Sequence, residues 1–223
     1  MPVTPCVHWS HLSKRERAYH NPYATHLPIL VAIARLQQIR RVLEFGCGEY
    51  STISFLNRSV FPNLVELYSF ENNREWADKI RVLTSGDNRV NLIYSDRSMH
   101  LIASEVAHMD VDLILIDDSF CASDRVKTID EVARRCNHAS IVAIHDFEVY
   151  EYRRAAKSFL HNFSFTGFKP HTGIAWNDRK LDRHALRKLN RMISKQADHI
   201  GAENLNGWDL FSTTARSADC AND

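Results

Sequence analysis

The chain has 223 residues, 44% of them hydrophobic and 25% charged, with a formal net charge of +1. That length carries one α/β domain with a sizeable core or two small ones, and the even charge balance offers no broad reason for a nucleic-acid, membrane or acidic partner. Five scattered cysteines (Cys6, Cys47, Cys121, Cys136, Cys220) form no C-x-x-C pair, so neither a disulfide framework nor a thiolate zinc site is indicated. No apolar run approaches the roughly 20 residues of a membrane span, and the polar, His-rich start does not read as a signal peptide. A reduced, cytoplasmic setting is expected.

Residues 1–26 read as a polar leader able to fold as a flap over a site. From Leu27 a helix is predicted, with Pro28 allowed in its first turn and Ile29, Ile33 and Leu36 at helical spacing. The run Arg41-Val42-Leu43-Glu44-Phe45 is a strand that ends in the turn Gly46-Cys47-Gly48 and a short helix over 51–57. Further strands are predicted at Leu64–Glu71, Val90–Tyr94, Val111–Ile116 and Ser140–Ile144, each followed by a helix. Those helices put Trp76, Ile80 and Leu83, then Met99, Ile102 and Val106, then Val126, Ile129, Val132 and Cys136, on their inward faces. Asn72 or Asn73 caps the first and Ser123 the third.

After a helix with Val149, Tyr152, Ala156 and Phe159, two weaker strands are expected at Ser164–Lys169 and Gly173–Trp176. Their short connection favours an antiparallel pair. A last helix runs from Leu181 to about Lys195 with Leu181, Ala185, Leu189 and Met192 inward, and residues 201–223 form a tail. Strands alternating with helices mean an α/β, Rossmann-like, doubly wound sheet. Seven strands, mostly parallel with the last antiparallel, make one domain over 27–200.

In such sheets a ligand sits beyond the carboxyl ends of the strands. Each of the first five strands ends there in acid: Glu44, Glu71, Asp96, Asp117-Asp118 and Asp146. Gly46 and Gly48 allow close approach of backbone to a ligand, and the helix opening at Ser51 points unpaired N–H groups at the same space. Glu44 repels a pyrophosphate but suits an ammonium or sulfonium. Glu71 lies about twenty residues after Gly48, where dinucleotide-binding units place the acid that grips ribose hydroxyls.

The order acid-x-Gly-x-Gly at Glu44–Gly48 resembles motif I of the class I S-adenosylmethionine (SAM)-dependent methyltransferases, and the likeness extends over roughly residues 27–177. It departs from the family at Tyr50, which stands where a third glycine is frequent. The resemblance implies SAM as cofactor, with Glu44, Gly46, Gly48 and Ser51 around the turn, Glu71 on the ribose, Asp96 at the adenine amino group and Asp117 lining the transfer pocket. It points to the small-molecule O-methyltransferase branch. In the catechol-type members, an Asp after the fourth strand and Asp-Asn after the fifth hold Mg²⁺. Here Phe147 stands in the place of that Asn, so a divalent metal is not favoured.

An oxygen or nitrogen acceptor needs a base near its working pH. His145 and Asp146 are the catalytic candidates, with His171 a weaker one. Phe147 and Trp176 are possible pocket walls, each also a good core residue. The basic residues Arg179, Lys180, Arg183, Arg187, Lys188, Arg191 and Lys195 read as a solvated helix face rather than a nucleic-acid surface. The expected reaction is methyl transfer to a small molecule, at oxygen. An NAD-dependent oxidoreductase is the alternative, opposed by Glu44 and by Ser51 where Gly-x-Gly-x-x-Gly needs glycine. A non-catalytic Rossmann-like binding protein would leave the strand-end acids unexplained.

Overall fold

Seven extended segments lie side by side, since a strand buried in the interior can satisfy its N–H and C=O groups only on a neighbour. The computed structural model describes residues 22–119, 121–178 and 181–196; the proposed leader up to residue 21 and the tail lie outside them. The strands are β1 (Arg41–Phe45), β2 (Glu66–Glu71), β3 (Val90–Tyr94), β4 (Leu113–Ile116), β5 (Ile141–His145), β6 (His161–Phe165) and β7 (Thr172–Trp176), in the sheet order β3-β2-β1-β4-β5-β7-β6. The first five are mutually parallel, and β7 runs antiparallel to both β5 and β6. This is the doubly wound architecture expected, with the reversal of strand order falling between β1 and β4.

Helices α1 (Leu27–Leu36), α2 (Ser51–Leu56), α3 (Arg74–Leu83), α4 (Met99–Val106), α5 (Ala122–Arg135), α6 (Tyr150–Ala155) and α7 (Arg183–Gln196) connect and cover the strands. Alternation along the central strands sends Val42, Leu113, Leu115, Ile141 and Ala143 into one core with α1 and α7. Leu43, Phe45, Ile114, Ile116 and Val142 go into a second core with α4, α5 and α6. Burial on both faces explains the continuous apolar runs, and each fully buried Leu, Ile or Phe contributes about 1.5–3 kcal/mol. Among the described residues no helix is long and apolar enough to cross a membrane.

Several local expectations change. Asn73 caps α3 by accepting from the Trp76 N–H, but Leu83 is exposed, because α3 covers only the sheet margin at β2 and β3. Ser123 is not the cap of α5: the cap is Cys121, two residues earlier, with Asp124 and Arg125 N–H groups donating to Cys121 O. The strand expected over 164–169 ends at Phe165, since Thr166 N–H donates to Asn190 Oδ1 on α7 instead of to a ladder. α7 begins at Arg183 rather than Leu181; its fully buried residues are Leu186 and Ile193, with Leu189, and Leu181 just before the helix, packed partly against the core. Arg183, Arg187, Lys188 and Arg191 are exposed.

Phe147 and Trp176 are core residues at 1% and 2% exposure. The Phe147 ring lies across Gly173 so closely that a Cβ there would sit 2.3 Å from it. Gly173→Ala therefore costs about 2–3 kcal/mol by overpacking. Gly86→Ala, at φ +94° with open space around it, costs only the conformational strain of about 1–2 kcal/mol. Chemical denaturation distinguishes the two, and equal losses would remove the ring contact from the explanation.

Candidate active site

The reversal of strand order leaves a crevice beyond the carboxyl ends of β1 and β4, where such sheets take their ligands. The backbone there is tight. Gly46, at φ +88°, donates its N–H to Phe70 O, and Asp117 N–H donates to Phe45 O. A Cβ on Gly46 would lie 2.2 Å from Asp117 O, so only glycine lets the β1 turn pass the end of β4. The crevice opens into a cavity of about 660 Å³, within the range of small-molecule and cofactor sites.

One wall comes from β1 and β2. Glu71 places Oε1 on the N–H groups of Asn72 and Asn73 and Oε2 on that of Cys47. Two carboxylate oxygens accept about four hydrogen bonds, so capacity remains for a donor in the cavity. Burial raises the Glu71 pKa while those N–H groups pull it down. Trp76 donates its indole N–H to Cys47 O and lines the same wall. Behind the turn, Gly48 N–H donates to Thr52 Oγ1 at 2.9 Å, and Thr52 and Ser69 hydroxyls donate to Glu44 Oε2 at 2.8 and 2.6 Å. Glu44 is 0% exposed. Burial pushes its carboxyl up to about 7 although the neighbouring hydroxyls favour the ion.

The opposite wall is ionic. The Arg125 guanidinium on α5, 2% exposed, pairs with Asp117 at 3.0 Å, Asp118 at 3.5 Å and Asp146 at 2.8 Å. Asp118 also accepts from Thr128 at 2.6 Å. His145 Nδ1 lies 3.2 Å from Asp117 Oδ2, and its Nε2 lies 3.0 Å from Thr25 Oγ1. Burial works against both charges of that pair. The mutual attraction nonetheless holds the His145 pKa above its usual value and, with Arg125, the Asp117 carboxyl well below its own. His26 stands edge-on to His145 at 5.0 Å between ring centroids, and burial followed by repulsion from His145 pushes it down to about 3.

With this geometry in place, comparison with solved structures is informative about the fold. A protein provisionally described as a caffeoyl-CoA O-methyltransferase from Staphylococcus aureus is 14% identical, with a TM-score of 0.52 over 67% of this chain and 81% of that one. A cofactor-bound protein from MTB is 17% identical, with a TM-score of 0.55 over 77% and 85%. A spermidine synthase from Thermotoga maritima is 14% identical, with a TM-score of 0.53 over 87% and 75%. The fold is that of the class I SAM-dependent methyltransferases. No family model matches the chain, and no curated protein sequence does.

On this methyltransferase fold the strand-end acids do not all converge. Gly46, Gly48, Ser51, Glu71 and Asp117 line the cavity. Glu44 lies behind the turn and braces it. Asp96 is exposed at the end of β3, the sheet's edge strand, and is not on the cavity wall. His145 and Asp146 stand behind Asp117 and Arg125, with Asp146 in the left-handed region at φ 56°. His171, in the β6–β7 connection, is half-buried and does not reach the cavity.

The divalent-metal site implied by the catechol-type resemblance does not fit. Phe147, in the place of its last oxygen ligand, is packed into the core, and Asp146 is engaged by Arg125. Sequence reasoning missed Arg125, His26, Tyr23 and Trp76 as cavity residues. Arg125 had a signal, a charge on the inward stripe with Ile129 and Val132.

Glu44 gives a test of the brace. Its folded pKa lies above that of an exposed glutamate, so the fold prefers the protonated acid. The penalty on folding is absent below about pH 4.5, grows between there and about pH 7, and is constant above. Glu44→Gln removes it. Denaturant titrations at pH 5 and pH 8 are expected to show the variant gaining on the wild type with pH, by up to about 3 kcal/mol. A pH-independent difference would mean that Glu44 is ionised in the fold.

Proposed function

We propose that the chain transfers the methyl group of SAM to an oxygen of a small-molecule acceptor. The observation that carries this reading is that Glu71 and the Gly46–Gly48 turn line one wall of the β1/β4 crevice, opposite an Asp117 paired with Arg125 and His145. When bound, SAM supplies an activated methyl group on a sulfonium, and the protein's part is to position and enclose the two reactants. The unused capacity of Glu71 suits ribose hydroxyls. The turn offers backbone close to the cofactor, and Trp76 offers an apolar wall.

Asp117 faces the cavity as a fixed negative charge able to accept from an acceptor hydroxyl. His145 and Arg125 hold it ionised and in place, so they are positioning residues in this reading. Asp146 acts at one further remove, through Arg125.

Calorimetric titration tests the proposal. SAM or its demethylated product is expected to bind and NAD is not. Binding of NAD alone would favour an oxidoreductase, and binding of neither would leave a non-catalytic protein. Glu71→Ala and the gentler Glu71→Gln are expected to weaken SAM binding by about 10–100-fold, as loss of a hydrogen bond to a charged group does, with the thermal unfolding transition retained. Unchanged affinity would take Glu71 out of the cofactor site.

A further inference from the structure

His26 is an unusual residue to bury. It is 2% exposed and lines the cavity, yet neither ring nitrogen has a hydrogen-bond partner among the described residues. A buried polar group left unpaired costs about 1–3 kcal/mol, so an imidazole kept there needs an occupant. The same ring stands beside Asp117 and His145, and one nitrogen or oxygen from each of the three lies within 4.8 Å of the others.

We propose that His26, Asp117 and His145 form a binding site for a divalent transition-metal cation of the Zn(II) or Co(II) type, open toward the cavity. Two imidazoles and one carboxylate are a donor set for such ions rather than for Mg²⁺, which takes oxygen. The 3.2 Å between His145 Nδ1 and Asp117 Oδ2 corresponds to two ligands about 2.1 Å from one ion at an angle of about 100°. Closing the third bond takes only a small turn of His26, whose nitrogens no hydrogen bond holds.

The surroundings suit the ligands. Thr25 Oγ1 engages His145 Nε2 and leaves Nδ1 pointing inward, and Arg125 holds the other oxygen of Asp117. Such partners orient metal ligands and tune their basicity. This centre shares Asp117 with the catechol-type site but uses neither Asp146 nor the Phe147 position. Its open side faces the cavity, where an acceptor oxygen could complete the coordination.

Chelator-treated full-length protein is titrated with Co(II), without SAM, so the outcome is independent of the methyl-transfer reading. One equivalent is expected to bind with visible ligand-field bands that Zn(II) abolishes. X-ray absorption of the Zn(II)-loaded wild type is expected to show two imidazoles and no sulfur. His26→Leu and His26→Gln are expected to lower the Co(II) affinity at least tenfold with the unfolding temperature unchanged or raised. A His8→Ala/His11→Ala/His20→Ala variant is expected to bind like the wild type. Absence of the bands, sulfur in the coordination, or binding lost with the leader histidines and retained without His26 would overturn the proposal. If the His26 variants fail to fold, the wild-type absorption spectrum still decides.

Discussion

The structure at the carboxyl edge of the sheet depends on one buried cation. Asp117, Asp118 and Asp146 come from the ends of β4 and β5, and without compensation their charges would repel one another in a poorly hydrated space. Arg125 enters from α5 and meets all three, with Tyr152 packed over its other side at 5.3 Å. Burying one partner of such a cluster is costly when any other is removed. The position of α5 against the sheet is thereby tied to the ends of two strands, and the orientation of Asp117 toward the cavity follows from it. The cluster also explains why Asp146 can adopt a left-handed backbone: a short polar side chain tolerates it, and the ion pair holds the residue there.

A second constraint works from the other side of the crevice. Gly46 permits β1 and β4 to end in backbone contact, and the Gly48–Thr52–Glu44 hydrogen bonds fix the turn that follows. Glu44 thus acts on the ligand space through the backbone rather than through its charge. A strand-end acid hidden from the ligand is intelligible in these terms, because the turn must be rigid before Glu71 can use Cys47 N–H as its own support.

Much of this was legible in the chain. Continuous apolar runs alternating with helices, and the acid-x-Gly-x-Gly turn, identified the sheet and its winding, because burial on two faces and positive φ leave strong local signatures. That Glu71 and Asp117 stand at strand ends bordering the crevice was legible from their places after β2 and β4. What spacing could not supply was direction. Whether a strand-end side chain faces the crevice, as Asp117 does, the interior, as Glu44 does, or solvent, as Asp96 does, depends on the pleat and on the neighbouring strand. His26 lay beyond reach altogether, since only the tertiary fold carries the start of α1 to the end of β5. Arg125 was readable and overlooked, as a charged residue repeating with Ile129 and Val132.

The charge balance of the crevice floor bears on the kind of guest it receives. Three carboxylates face a single guanidinium. Burial favours protonation of Asp118, but Asp117 is held ionised, and Glu71 adds a carboxylate on the facing wall. Among the described residues an anionic guest such as a pyrophosphate meets no cavity-lining cation that is not already paired with acid, whereas a sulfonium, an ammonium or a metal ion meets acids held in place beforehand. Electrostatic preorganisation of this kind acts before contact, through the field of the cleft. The spermidine synthase likeness shows that the fold alone does not choose the reaction. On the proposed reading, the choice rests on what Asp117, His26 and the cavity around them present to the second reactant.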